Sequence, residues 1–358
     1  MSAPDVPSPG SGDPRAVSSG ELDRRFDELI ESLVGFYRSW FLALGVELGL
    51  VRAVAAAGPA GVTADELAAA AAAHPPAADL WLRGAYAHRI VELVSVGEPP
   101  RFAIDPALAQ ILLDEASTHY LGGQFVRSID STLDYADLAG FFRLGRTIPE
   151  RAPRYHRAIE RVTVQDITLF VDEGLPRLQG LSRRLGAGIR ALDVACGGGR
   201  WLLTMAERYP KSRFVGVEFE PDSVSRALRH VSEAGLDERI EIVPIDPAEM
   251  TFRDEFDLAY CQDALHELPE PAGALRATWQ ALRSEGMLVV FDWCIPSRIE
   301  DYRTALGELA WGVQIDELYQ GTRLMTREEF DALFEAAGLP RPLRVELEAG
   351  ATLFVAAR

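Results

Sequence analysis

The chain has 358 residues, of which 48% are hydrophobic and 25% charged, enough for two domains with buried cores. Its 36 basic residues, with Lys211 the one lysine, face 54 acidic ones for a net charge of −18, which argues against a protein held by charge to nucleic acid or an anionic membrane. The three cysteines, Cys196, Cys261 and Cys294, are scattered and include no Cys-x-x-Cys pair, so neither a disulfide framework nor a zinc site is expected, and a reducing cytoplasm fits.

The first twenty residues, MSAPDVPSPGSGDPRAVSSG, are rich in Pro, Ser and Gly and read as a disordered tail with no secretory signal. From 21 to 127 the pattern is mainly helical. Leu29, Leu33, Phe36, Tyr37, Trp40 and Leu44 recur at helical spacing and predict a packed or dimer-facing helix. The Ala-rich stretch from Val51 to Ala73 is broken by Gly58, Pro59, Gly61, Asp65 and Glu66 and is not a membrane span. Thr63 followed by Glu66 predicts a capped short helix, and a second helix follows His74-Pro75-Pro76. The alternation in VELVSVGEPPRFAID predicts a two-stranded hairpin.

Helix, turn, helix and hairpin in this order resemble a winged helix, a module that often binds DNA. Residues 21–127 carry 14 acids and 8 bases. DNA affinity comes mostly from phosphate neutralisation, so this module is expected to serve packing and homodimerisation. Residues 128–185 read as a helical bridge.

From residue 188 strands and helices alternate: IRALDVA, RFVGVEF, RIEIVPI, FDLAYCQ and MLVVFDW are strands with helices between them, and LRVELEAGATLFVAAR closes the chain as two strands. This predicts an α/β, Rossmann-like, doubly wound seven-stranded sheet ending in an antiparallel hairpin, with ligands at the carboxyl ends of its central strands.

The first strand of that sheet ends in LDVACGGGRW. A P-loop needs a lysine where the chain has Arg200 and Trp201, and the dinucleotide fingerprint needs a third glycine where it has Leu202. Asp193 would repel a pyrophosphate but attract an ammonium or sulfonium. LDVACGGG resembles motif I of the class I S-adenosylmethionine (SAM)-dependent methyltransferases, with Asp193, Ala195, Gly197 and Gly199 in its positions and Ala195 in place of the first glycine.

Further landmarks cover residues 185–358. FVGVEFEP resembles the second strand end, where Glu218, 25 residues after Asp193, would hold the ribose hydroxyls. IEIVPIDPAEM resembles the segment whose aspartate, here Asp246, faces the adenine amino group. The resemblance implies cofactor contacts from Asp193, Ala195, Cys196, Gly197, Gly199, Glu218, Phe219, Asp246, Pro247 and Gln262, with Cys196 a small packing residue rather than a nucleophile.

FDLAYCQDALHEL resembles the fourth strand and its exit. In small-molecule O-methyltransferases with a winged-helix dimerisation domain that exit reads His-Asp-Trp and supplies a base; here it reads His266-Glu267-Leu268. His266 is the candidate base, with His156 an alternative. Asp292 and Trp293 end the fifth strand and face the same mouth. The insertion at 294–325 follows, and Trp293, Tyr302 and Trp311 are the expected acceptor-lining residues. No metal is expected. These features imply a SAM-dependent methyltransferase of a small molecule, with O-methylation leading. A SAM-sensing DNA-binding regulator, or a non-methylating enzyme or scaffold on the same fold, are the other readings.

Overall fold

The computed structural model describes residues 17–148 and 151–358, and the first sixteen residues of the expected tail lie outside them. Within them the chain forms two compact units, up to Pro106 and from Ala107. The boundary differs from the expected one near 127: the segment 107–127 folds with the second unit.

In the first unit α1 (Ser19–Glu47) begins earlier than the expected tail end, because the Ser18 side chain accepts from the Glu21 N–H and caps it. It is followed by α2 (Leu50–Ala57), α3 (Ala64–Ala70) and α4 (Pro75–Ala87). Thr63 and Glu66 form the expected capping box on α3. Strands β1 (Glu92–Ser95) and β2 (Arg101–Ala103) pair antiparallel, and Val62 bridges to Phe102. Leu22, Phe26, Leu29, Ile30, Leu33 and Tyr37 of α1 are exposed.

The second unit opens with α5 (Pro106–Leu113), α6 (Gly122–Thr132), α7 (Leu138–Leu144) and α8 (Pro153–Leu169), and a single π-helical turn, Phe170–Gly174, leads to α9 (Leu175–Arg177) and α10 (Leu181–Ala187). Then come β3 (Arg190–Val194), α11 (Arg200–Arg208), β4 (Arg213–Glu218), α12 (Pro221–Glu233), β5 (Ile240–Pro244), β6 (Phe256–Gln262), α13 (Pro271–Ala281) and β7 (Leu282–Asp292). The inserted α14 (Ala305–Gln320) precedes α15 (Arg327–Ala336), β8 (Leu343–Glu346) and β9 (Thr352–Ala357).

The sheet order is β5-β4-β3-β6-β7-β9-β8, with β9 antiparallel to both neighbours and the other pairs parallel. The strands are apolar on both faces, as a sheet covered by helices on both sides requires. Leu192, Val194, Val215 and Val217 join Phe330, Phe334 and Phe354 on one side. Ala191, Phe214, Leu258 and Tyr260 join Phe170 and Trp201 on the other. The order reverses between β3 and β6, so a crevice opens beyond the carboxyl ends of those two strands.

Candidate active site

Asp193, Glu218, Gln262 and Asp292 all lie at the carboxyl ends of their strands, beside this crevice. After β3 the backbone turns left-handed at Ala195 (φ 58°), Gly197 (φ 52°) and Gly199 (φ 76°), which caps α11. The motif glycine that Ala195 replaces therefore has a conformational reason, and the alanine carries left-handed strain as well as an extra methyl. At Gly198 a Cβ would come within 2.5 Å of Glu160 Oε1 on α8.

A cavity of about 300 Å3 is lined by Asp193, Ala195, Cys196, Gly197, Glu218, Phe219 and Gln262. Asp193 is 3% exposed and makes no hydrogen bond among the described residues. Burial, then Glu218, pushes its carboxyl well above the usual range. A carboxylate in this position is stabilised by a cation beside it.

The Glu218 carboxylate is held by three backbone N–H groups, from Gly197 (2.9 Å), Phe219 (2.8 Å) and Glu220 (2.9 Å). Gln262 accepts from Tyr260 Oη (2.9 Å) and donates to the Thr163 carbonyl (3.3 Å), tying β6 to α8. Asp246 and Pro247 do not line this cavity. Asp246 accepts instead from the Ala248 N–H at 2.8 Å and caps its own turn, because Pro247 opens a 3-10 helix there.

A second cavity of about 250 Å3 shares His156, Ile159, Thr163, Asp263 and Glu267 with the first. His266 and Trp293 line it, opposite Leu306, Leu309, Val313 and Leu324. His266 Nδ1 lies 3.1 Å from Asp292 Oδ2, and its Nε2 lies 3.8 Å from Glu317 Oε2. Burial opposes charge on the imidazole, but Asp292, Asp263 and Glu267 outweigh it and raise its pKa well above the ordinary value. Asp263, in a left-handed conformation, is itself pushed up to about 6, by burial and then Asp292. Trp293 Nε1 donates to Asp166 Oδ1 at 3.0 Å.

Tyr302 and Trp311 line neither cavity. Their rings pack on each other with centroids 4.8 Å apart. Leu306, Ala310, Val313, Glu317 and Gln320 form the cavity face of α14 at helical spacing, and Trp311 is turned off that face.

A family model described as "Methyltransferase domain" matches residues 185–338. These residues are a methyltransferase domain. Among curated relatives, the 27-O-demethylrifamycin SV methyltransferase of Amycolatopsis mediterranei (strain S699) is 26% identical over 184 residues, covering 50% of this chain and 63% of the relative. A ubiquinone biosynthesis O-methyltransferase of Psychrobacter cryohalolentis is 28% identical over 106 residues, covering 29% of this chain and 40% of the relative. The matched part thus spans less than two thirds of either relative's length.

The fold is shared along nearly the whole chain. The structure of the mitomycin 7-O-methyltransferase MmcR superposes with a TM-score of 0.68 at 20% identity, covering 95% of this chain and 100% of that one. The human N-acetylserotonin methyltransferase, solved with SAM, gives 0.66 at 19% identity, covering 96% and 99%.

The methyltransferase domain supplies His266, Asp292 and Glu317, and the helices ahead of it supply the other wall of the second cavity. Arg127 on α6 and Arg151 and Tyr155 near α8 line it. All three reach Asp316 of α14, which accepts from Arg127 Nη2 (3.2 Å), Tyr155 Oη (3.0 Å), Ser131 Oγ (3.0 Å) and Arg151. No short motif carries this cluster. Its visible trace is α14 itself, where buried Gln314, Asp316 and Glu317 alternate with exposed Leu309, Ile315 and Leu318, the reverse of an ordinary surface helix.

Proposed function

We propose that this chain transfers a methyl group from SAM to a hydroxyl oxygen of a small molecule. The observation that carries the reading is the joining of two cavities through a common wall. One presents two acids at the strand ends, the other a buried His266–Asp292 pair. In the first, Asp193 suits the ammonium of the methionine part and Glu218 the ribose hydroxyls, with Ala195, Cys196, Gly197, Phe219 and Gln262 around them. SAM, when bound, supplies an electrophilic methyl on a sulfonium, so the residues mainly position the reactants and exclude water.

In the second cavity His266 is the base. Asp292 at Nδ1 leaves Nε2 directed to the cavity, where it takes the hydroxyl proton as the oxygen becomes nucleophilic. Trp293 forms part of the acceptor wall. Asp246, Pro247, Tyr302 and Trp311 have no part in this reading.

The first unit serves as a winged-helix-like dimerisation module, and the exposed apolar face of α1 is the surface for a second copy. By length and composition α1 is also sufficient to cross a membrane. Arg38 falls near the middle of its apolar stretch, at roughly 2.5–3.5 kcal/mol for a charge at a bilayer centre, which favours the dimer. Cys196, Cys261 and Cys294 are free thiols, in keeping with a cytoplasmic protein.

The test is release of S-adenosylhomocysteine from SAM across matched phenols, amines and carboxylic acids. Turnover with phenols supports the reading. Turnover confined to amines, or none while SAM binds, overturns it in favour of N-methylation or a non-methylating role.

A further inference from the structure

The part of the cavity beside His266 carries hydrogen-bond donors whose charge is already balanced. Arg127, Arg151 and Arg154 are paired with Asp134, Asp316 and Glu317. Three guanidiniums therefore meet three carboxylates, and an added anion would find no unpaired guanidinium among them. Donor capacity is nevertheless left over. Arg127 is 8% exposed and lines the second cavity. Its Nη2 has Asp316 at 3.2 Å and Glu317 at 3.8 Å, and its guanidinium also shares a side-chain hydrogen bond with Tyr155. An arginine has five N–H donors, more than Asp316, Glu317 and Tyr155 take up, and Arg127 lines the cavity. Gln124, one helical turn away on α6, lines the same wall.

Arg127 and the base share a neighbour. Glu317 lies 3.8 Å from Arg127 through Oε1 and 3.8 Å from His266 Nε2 through Oε2. A ligand bound beside Glu317 therefore meets the base and the guanidinium together. The wall across from them is apolar, formed by Leu306, Leu309, Val313 and Leu324.

We propose that Arg127 selects the acceptor, and that the acceptor is a neutral hydroxy-carbonyl compound. Its hydroxyl faces His266 and its ketone, quinone or ester oxygen accepts from Arg127, while its ring or alkyl body lies on the apolar wall. The proposal rests on the methyltransferase reading and deepens it. With each guanidinium already paired, a carbonyl is the better match than a carboxylate, which would add a further negative charge to Asp263, Glu267 and Glu317 in the cavity lining. A hydrogen bond from a charged donor to such an oxygen is worth a discrimination of about tenfold or more against a ligand lacking it.

The experiment is titration calorimetry of the wild-type protein, preloaded with S-adenosylhomocysteine, with three probes: 2′-hydroxyacetophenone, 2-ethylphenol and salicylate. The hydroxyketone is expected to bind at least about tenfold more tightly than either of the others. Equal binding of hydroxyketone and ethylphenol, preference for salicylate, or no binding of any probe overturns the proposal. Arg127→Met should then shrink the ketone preference to below about threefold. Should that variant fail to fold, because it leaves Asp316 short of a partner, the wild-type ranking still decides. Loss of this proposal is separable from loss of the methyltransferase reading, which stands or falls on SAM binding and on S-adenosylhomocysteine release with phenols.

Discussion

His266 Nδ1 stands 3.1 Å from Asp292 Oδ2, with both side chains almost wholly buried. In the proposed reaction this pairing leaves Nε2, 3.8 Å from Glu317 Oε2, as the nitrogen that takes the acceptor's proton. His266→Ala should lower kcat by a factor on the order of 10² or more, the usual worth of a positioned base, while SAM affinity stays within about twofold. Stopped turnover assays and calorimetry on the same preparation check this. Full activity in His266→Ala would remove the base assignment and leave the fold untouched.

The carboxylates around His266 hold its pKa well above the ordinary value. A base works only when unprotonated, so activity is lost as pH falls through that raised pKa. The acidic limb of kcat/KM should lie above pH of about 6.5, the unperturbed value. Asp292→Asn removes the nearest negative charge and should move the limb downward while reducing the maximal rate. A limb that stays in place would show that another group titrates there.

Asp193 and Glu218 should respond differently to neutralisation. Asp193 is buried without a hydrogen-bond partner among the described residues. Asp193→Asn should therefore stabilise the ligand-free protein while weakening SAM binding about tenfold or more, since it relieves a buried charge but removes the attraction to a cation. Glu218→Ala should lower both, because it also strands the N–H groups of Gly197, Phe219 and Glu220. Thermal melts with and without SAM distinguish the two patterns.

Ala195 carries a left-handed φ of 58°. Ala195→Gly relieves a strain of about 1–2 kcal/mol and loses part of that gain to the greater freedom of unfolded glycine. A net rise in stability of about 0.5–1 kcal/mol is expected, measured by urea unfolding. A destabilised variant would mean that the alanine methyl contributes packing beyond its backbone cost.

Leu29 and Leu33 lie exposed on α1. If that face meets a second copy, Leu29→Glu with Leu33→Glu should sediment as a monomer where the unsubstituted chain sediments as a dimer. A wild-type monomer would contradict the dimer proposal directly.

The alternating strands and helices of the second unit were legible because each repeats at its own period, and the capping box of α3 was visible as Thr63 with Glu66. The strand-end acids were legible because motif I and its successors are short and ordered along the chain. What stayed hidden depends on long-range placement. Arg127 and Asp316 are 189 residues apart, and only the packing of α6 and α8 against α14 brings them together. Tyr302 and Trp311 stand outside the cavity lining: aromatic character is visible in a sequence, and helical phase is easily passed over. Residues 306, 310, 313, 317 and 320 carry that phase, and Trp311 falls outside it. Asp246 lies outside the cavity lining and caps its own turn, a role that a residue before proline at a strand end also fills.

The most direct test of SAM-dependent methyl transfer is calorimetric titration of the full chain with SAM. Saturable binding at one site per chain in the micromolar range is predicted, weakened in Asp193→Asn. No detectable binding by the folded wild-type protein at a hundredfold higher concentration would contradict it.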